Sequence, residues 1–325
     1  MLHRLLALGF AFGVSTLGMA CGPTAGANGG GGGGGGGGVD GGGPGSSEFA
    51  DAAPVERCDK MDILFVIDDS GSMGEEQSNL ASNFPQFINI LDAYQTQSGD
   101  FLDYRVAITS TGRDVDYTVD IPGFGQLPMS EKGMNGTFVE SCGMSRRWLE
   151  RADTDVASTF QCAAELGTSG PSLEMPLRTT EMAFTDRMSD GTNSGFHRDD
   201  ALLALVVLTD EDDCSREDNN FSIGTTDACD PSNPQIVSTQ HYEQFLDTVT
   251  GQRGRWATAV IAGPGPGSCS SSFGDALEAK RLKQFVDETG TNAVFSSICD
   301  GDLASSLQTA LDTFDAACSN FPPVL

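Results

Sequence analysis

Two hydrophobic rhythms alternate along this chain from Asp62 onward. Ile63-Leu64-Phe65-Val66-Ile67 is a continuous apolar run, the pattern of a strand buried on both faces. Leu80, Phe84, Phe87, Ile88 and Leu91 then recur at helical spacing, with Pro85 expected to kink that helix. Tyr104 to Ile108 predicts a second strand, and Ala201 to Leu208 a further doubly buried one. Between them Leu173, Leu177, Met182 and Phe184 predict a helical stretch. His241 to Val249 reads as a helix and Trp256 to Ala262 as a strand. Leu277, Leu282, Phe285 and Val286 mark another helix, and Ala293 to Ser296 a short strand. Leu303, Leu307, Leu311 and Phe314 form one stripe of a last helix. Repeated β-α-β units with buried strands imply an α/β fold: a doubly wound, mainly parallel sheet with helices on both faces. Ligands of such sheets bind beyond the C-terminal ends of the strands.

The N-terminal part follows neither rhythm. Met1 to Arg4 is positive and Leu5 to Leu17 is apolar, which is shorter than the ~20 residues of a membrane-spanning helix. Gly18-Met19-Ala20 follows, so residues 1–20 read as a secretory signal peptide. With Cys21 next, the segment resembles a bacterial lipoprotein signal, although Leu17 is one position early and Met19 is bulky for its place. Ordinary cleavage after Ala20 is the alternative. It would leave nine Cys and one of them unpaired, whereas lipidation of Cys21 leaves an even set. Of 41 Gly, 16 lie between Gly22 and Gly45. Residues 21–57 are therefore expected to be a lipid-anchored flexible tether, and residues 58–325 the globular body. The glycine run is not a phosphate loop, because no Gly-Lys-Ser/Thr follows it.

Charge narrows the partners. With 18 Lys+Arg against 46 Asp+Glu the formal charge is −28, which argues against nucleic acid and favours divalent cations or basic partners. The first strand ends in Asp68-Asp69-Ser70-Gly71-Ser72. Asp68, Ser70 and Ser72 form D-x-S-x-S on a tight turn, a carboxylate and two hydroxyls that suit a hard cation's demand for oxygen ligands. The strand Ala201 to Leu208 runs on into Thr209-Asp210, which places Asp210 at the same sheet edge. Gly167-Thr168-Ser169-Gly170 lies between them in the chain.

This combination resembles the von Willebrand factor type A domain and its metal-ion-dependent adhesion site, over roughly residues 59–314. The resemblance implies a metal set of Asp68, Ser70, Ser72, Thr168 and Asp210 holding Mg²⁺, or Ca²⁺ or Mn²⁺ in its place. It also implies an open coordination position filled by an exposed Asp or Glu of a protein partner. The span from Gly112 to Leu166 is long for the family and is expected to be an insertion. Glu211, Asp212 and Asp213 suggest either a second cation or a solvated acidic loop; they do not fit an EF-hand. Chain ends lie close together in this family, which implies Cys58–Cys318, a bridge worth up to ~5 kcal/mol in the chain-entropy model. Cys142–Cys162, Cys214–Cys229 and Cys269–Cys299 are expected as local pairs. Zinc is disfavoured because no C-x₂₋₄-C pair occurs. Cys214–Cys229 would enclose a polar loop on the rim of the site, expected to help choose the partner.

Enzyme motifs are missing. His197 and His241 have no metal-ligand spacing, no G-x-S-x-G elbow occurs, and a Mg²⁺-dependent phosphotransferase would need Asp where Ser70 stands. The expectation is a binding module rather than an enzyme, tethered by lipid to the bacterial envelope, at the outer membrane. The alternative is a structural envelope lipoprotein whose ion only stabilises the fold.

Overall fold

A computed structural model describes residues 58–96, 98–121, 123–223, 228–271 and 274–322. The signal peptide, Cys21 and the tether lie outside the described residues. The chain opens with β1 (Lys60–Ile67), α1 (Gly74–Ala93) and β2 (Asp103–Ser110). Next come β3 (Val115–Ile121), β4 (Gly125–Glu131), β5 (Leu149–Glu150) and α2 (Val156–Ala164). Then come α3 (Pro176–Phe184), α4 (Asp186–Ser189), β6 (Leu202–Leu208) and β7 (Asn220–Ile223). The remainder is α5 (Thr239–Thr250), β8 (Trp256–Ala262), the hairpin β9 (Cys269–Ser271) and β10 (Gly274–Ala276), α6 (Lys280–Thr289), β11 (Ala293–Ser297) and α7 (Leu303–Ser319).

The main sheet has the order β11-β8-β6-β1-β2-β5, parallel except for the short antiparallel edge strand β5. Both faces of β1 are buried, and its alternation divides the core in two. Ile63, Phe65 and Ile67 pack towards α1, α2 and α7, while Leu64 and Val66 pack towards α3, α5 and α6. Phe65 is the hub of the first layer, edge-on to Phe84, Phe87 and Phe160 with centroids 5.6, 5.2 and 5.0 Å away. Such contacts add to the burial energy of the rings. This is a doubly wound, Rossmann-like α/β fold.

Helix α1 includes Pro85. Two expectations shift in detail: Leu173 lies ahead of α3, and Leu277 lies ahead of α6, exposed, with its N–H donated to the Asp210 carbonyl at 2.8 Å. The segment after β2 also builds a second sheet, in the order β4-β3-β7, over a small core of Val115, Tyr117, Met175 and Phe221. Its third strand comes from the loop closed by Cys214–Cys229. The other disulfides join Cys58 to Cys318, Cys142 to Cys162 and Cys269 to Cys299, so all four follow the expected pairing. Among the described residues no helix is long and apolar enough to cross a membrane.

Candidate metal centre

Neighbouring strands β1 and β6 leave the sheet towards opposite faces, β1 into α1 and β6 towards α5. That divergence opens a crevice at their C-terminal ends, the usual ligand position in such sheets. The strand ends are pinned: Asp68 N–H donates to Leu208 O at 2.9 Å, and Thr209 N–H to Ile261 O at 3.2 Å. Asp68 is fully buried. Its carboxylate accepts the Ser70 N–H at 2.8 Å and the Thr209 hydroxyl at 2.6 Å, and Gln77 Nε2 donates to its carbonyl at 2.8 Å. The Ser70 and Ser72 hydroxyls lie 3.0 Å apart, and the Ser72 hydroxyl also bonds the Asp210 carboxylate. The structure thus brings Asp68, Ser70, Ser72 and Asp210 into one cluster.

The loop carrying Thr168 docks beside them. Gly170 N–H donates to Asp69 O at 2.7 Å, and a Cβ at Gly170 would meet the Asp69 carboxylate and force it to shift. Thr168 itself is exposed on that loop. Thr179 and Thr180 turn their hydroxyls onto the Pro176 carbonyl, at 3.2 and 2.8 Å. What this segment sends towards Asp68 is Glu174, 2% exposed, which also bonds the Glu211 carboxyl. Its backbone is clamped: Met175 N–H donates to Thr111 O at 3.0 Å, and Glu174 O accepts the Cys214 N–H at 2.7 Å. Sequence reasoning passed over Glu174; its signal is a lone acid in the apolar run Leu173-Glu174-Met175-Pro176-Leu177. Glu76, in the first turn of α1, approaches from the other side, where Gly274 of β10 leaves room for its carboxylate.

The acidic run after β6 does not converge on a second cation. Asp212 turns to the N-terminus of α6 and accepts the Arg281 and Leu282 N–H groups, at 2.9 and 3.2 Å. Asp213 pairs with the Arg281 guanidinium at 3.0 Å and accepts the Leu177 N–H at 3.2 Å. Helix ends with free N–H groups draw carboxylates in this way. Only Glu211 of the three faces the crevice side, through Glu174. Of the described histidines, His241 Nε2 lies 2.8 Å from Glu181 Oε1, and His197 Nδ1 lies 3.7 Å from buried Asp62.

The electrostatics of the crevice are one-sided. Burial, and then repulsion from Asp68, pushes the Asp210 carboxyl up to about 8 and the Asp69 carboxyl up to about 6. Burial likewise raises Asp68, and burial with the charges of Asp68 and Glu211 raises Glu174. Among the described residues, Asp69 Oδ1, Glu76 Oε2, Glu174 Oε1 and Asp210 Oδ1 are buried without a hydrogen-bond partner. A buried, unpaired carboxylate oxygen is costly, and a hard divalent cation is the species that suits several of them beside two hydroxyls. The donor set therefore fits such an ion. It is not a closed cage: among the described residues no three His, Cys, Asp or Glu side chains already enclose an ion position. Hydroxyls and water would complete the shell.

No protein-family model and no curated protein matches this chain. Similar solved structures include proximal thread matrix protein 1 from the mussel byssus, 12% identical with a TM-score of 0.42, covering 80% of this chain and 49% of that one. The pilus adhesin SpaC from Lactobacillus rhamnosus GG is 11% identical with a TM-score of 0.40, covering 81% of this chain and 31% of that one. The manganese-loaded TRAP protein of Plasmodium vivax is 8% identical with a TM-score of 0.32, covering 78% and 74%. The chain spans about half the length of the mussel protein. The fold assignment rests on this chain's own strand order and register.

Proposed function

We propose that this chain is a metal-dependent binding module rather than an enzyme. It holds a divalent cation, Mg²⁺ or else Ca²⁺ or Mn²⁺, at Asp68, Ser70, Ser72 and Asp210, and engages a protein partner there. The observation that carries this reading is the set of orphaned buried carboxylate oxygens at the switch point, beside two hydroxyls that reach one another. The ion supplies a Lewis-acidic position for a partner's oxygen ligand, an exposed Asp or Glu by the family resemblance. Asp68 and Thr209 hold the turn, Ser70 and Ser72 offer neutral oxygens, and the second sheet forms a rim. On that rim Ile121, Phe124, Leu127 and Met129 are exposed, and Phe124 is 90% accessible, so partner choice is assigned to this rim. The Cys214–Cys229 loop contributes through β7. Export through the signal peptide and anchoring by Cys21 in the outer membrane belong to the same proposal.

The test is a pull-down of envelope proteins by the full chain with Mg²⁺ or with EDTA, repeated with Asp68→Ala. Capture lost in both EDTA and the variant supports the reading. Capture indifferent to both, with a melting point that still shifts on metal addition, would select a purely structural ion instead.

A further inference from the structure

Asp68 is held by its backbone as well as by its carboxylate. The register of β1 ends at Ile67 against both neighbours, so the Asp68 carbonyl lies beyond the sheet's own ladder. Gln77, near the start of α1, supplies a donor: its Nε2 gives that carbonyl a 2.8 Å hydrogen bond. Gln77 is itself anchored, its N–H donating to Met73 O at 2.8 Å. The Asp68 N–H already donates to Leu208 O at 2.9 Å, so both peptide units around Asp68 are fixed. Gln77 is 7% exposed, and among the described residues its Oε1 is buried without a hydrogen-bond partner. Leu or Met would fill that space without the cost of an unmatched buried oxygen. We infer that Gln77 is a positioning residue of the metal turn, setting the direction in which the Asp68 carboxylate leaves β1. The inference rests on the metal reading above and deepens it.

The side-chain bonds to Asp68 depend on this grip. The Ser70 N–H and the Thr209 hydroxyl, at 2.8 and 2.6 Å, orient its carboxylate only while the Asp68 backbone stays in place. Outer partners that orient a ligand govern ion affinity, and losing one typically costs about 10–100-fold. A hydrogen bond that merely satisfied a carbonyl would show in overall stability and leave ion affinity alone. A positioning bond shows in local opening of the turn and in affinity together.

Amide hydrogen exchange of the full chain in EDTA, followed by calorimetric titration with Mg²⁺ and with Ca²⁺, tests this. Gln77→Met matches the length without a donor, and Gln77→Asn keeps the amide on an arm too short for the carbonyl. In both, the Ser70 amide is expected to exchange about fivefold faster or more. Both are also expected to weaken binding of the better ion by about tenfold. Tyr104→Phe is the control: it removes a 2.7 Å bond to Asp92 at the other end of α1 and should change neither reading. Should Gln77→Met not fold, Gln77→Asn gives the same two readings. Wild-type exchange at Ser70 in these variants overturns this inference alone, and so does wild-type ion affinity in them while Asp68→Ala loses binding. No binding of either ion by the wild-type chain overturns the metal reading and this inference together.

Discussion

Asp210 and Asp213 stand on one loop, both buried, and their surroundings differ in kind. Asp213 has the Arg281 guanidinium, the Leu177 N–H and the Ser215 hydroxyl, so its charge is matched from three directions. Asp210 has the Ser72 hydroxyl on one oxygen and nothing on the other, with Asp68 and Glu211 as like-charged neighbours. The fold can satisfy a buried carboxylate on this loop, and it does so where the acid anchors helices. At the switch point of the sheet it leaves the acids without a cation of its own. The contrast separates a scaffold charge from a charge that requires an external partner.

Breaking the matched side should have the larger effect. Arg281→Met leaves Asp213 buried and unpaired, and such losses cost about 3–5 kcal/mol; urea denaturation should show it in metal-free and metal-loaded protein alike. Supplying the missing cation is the next largest. At a hundredfold excess over Kd, Mg²⁺ or Ca²⁺ should add about 2.7 kcal/mol of stability, and Asp68→Ala or Asp210→Asn should abolish the gain. An unchanged gain in Asp210→Asn would remove that residue from the site.

Acidity probes the unmatched side without changing its sequence. The Asp210 carboxyl is raised to about 8, whereas an unfolded Asp titrates near 4. In chelator, the folded chain keeps a proton there that the unfolded chain has released, so stability falls as pH rises from about 4 to about 8. Asp69, raised to about 6, adds to the lower half of that fall. Melting curves at pH 5 and pH 8 in EDTA should show the higher midpoint at pH 5, and Asp210→Asn should flatten the difference. The smallest effect is expected for Thr209→Val, which removes the hydroxyl donated to Asp68. A cost of about 1 kcal/mol is expected, with the metal response retained.

The main sheet was legible because burial on both faces writes a local pattern. Ile63 to Ile67, Leu202 to Leu208 and Trp256 to Ala262 are strands in the structure, each wholly buried. The second sheet was passed over, although its middle strand Val115–Ile121 alternates apolar and polar residues; Gly125–Glu131 is almost entirely exposed, and β7 is a four-residue strand set by pairing with β3. At the site, the turn from Asp68 to Ser72 was readable because its oxygen-bearing side chains follow one another on one turn. Glu174 was not, because its burial among the charges of Asp68 and Glu211 follows from packing in which Met175 N–H donates to Thr111 O and Cys214 N–H to Glu174 O, partners distant in the chain.

Taken alone, the sequence determined the order of buried strands, the amphipathic helices, and the turn after the first strand. Each of these is a short-range pattern of burial or backbone geometry. Tertiary structure alone decided which acids are matched and which are left over. Asp212 and Asp213 read as one run with Glu211, yet they are drawn to the N-terminus of α6, Arg281 and the first turn of α3. Glu174, from a different segment, is buried where it feels the charges of Asp68 and Glu211. Charges interact through space, and only packing sets which carboxylates share one low-dielectric crevice.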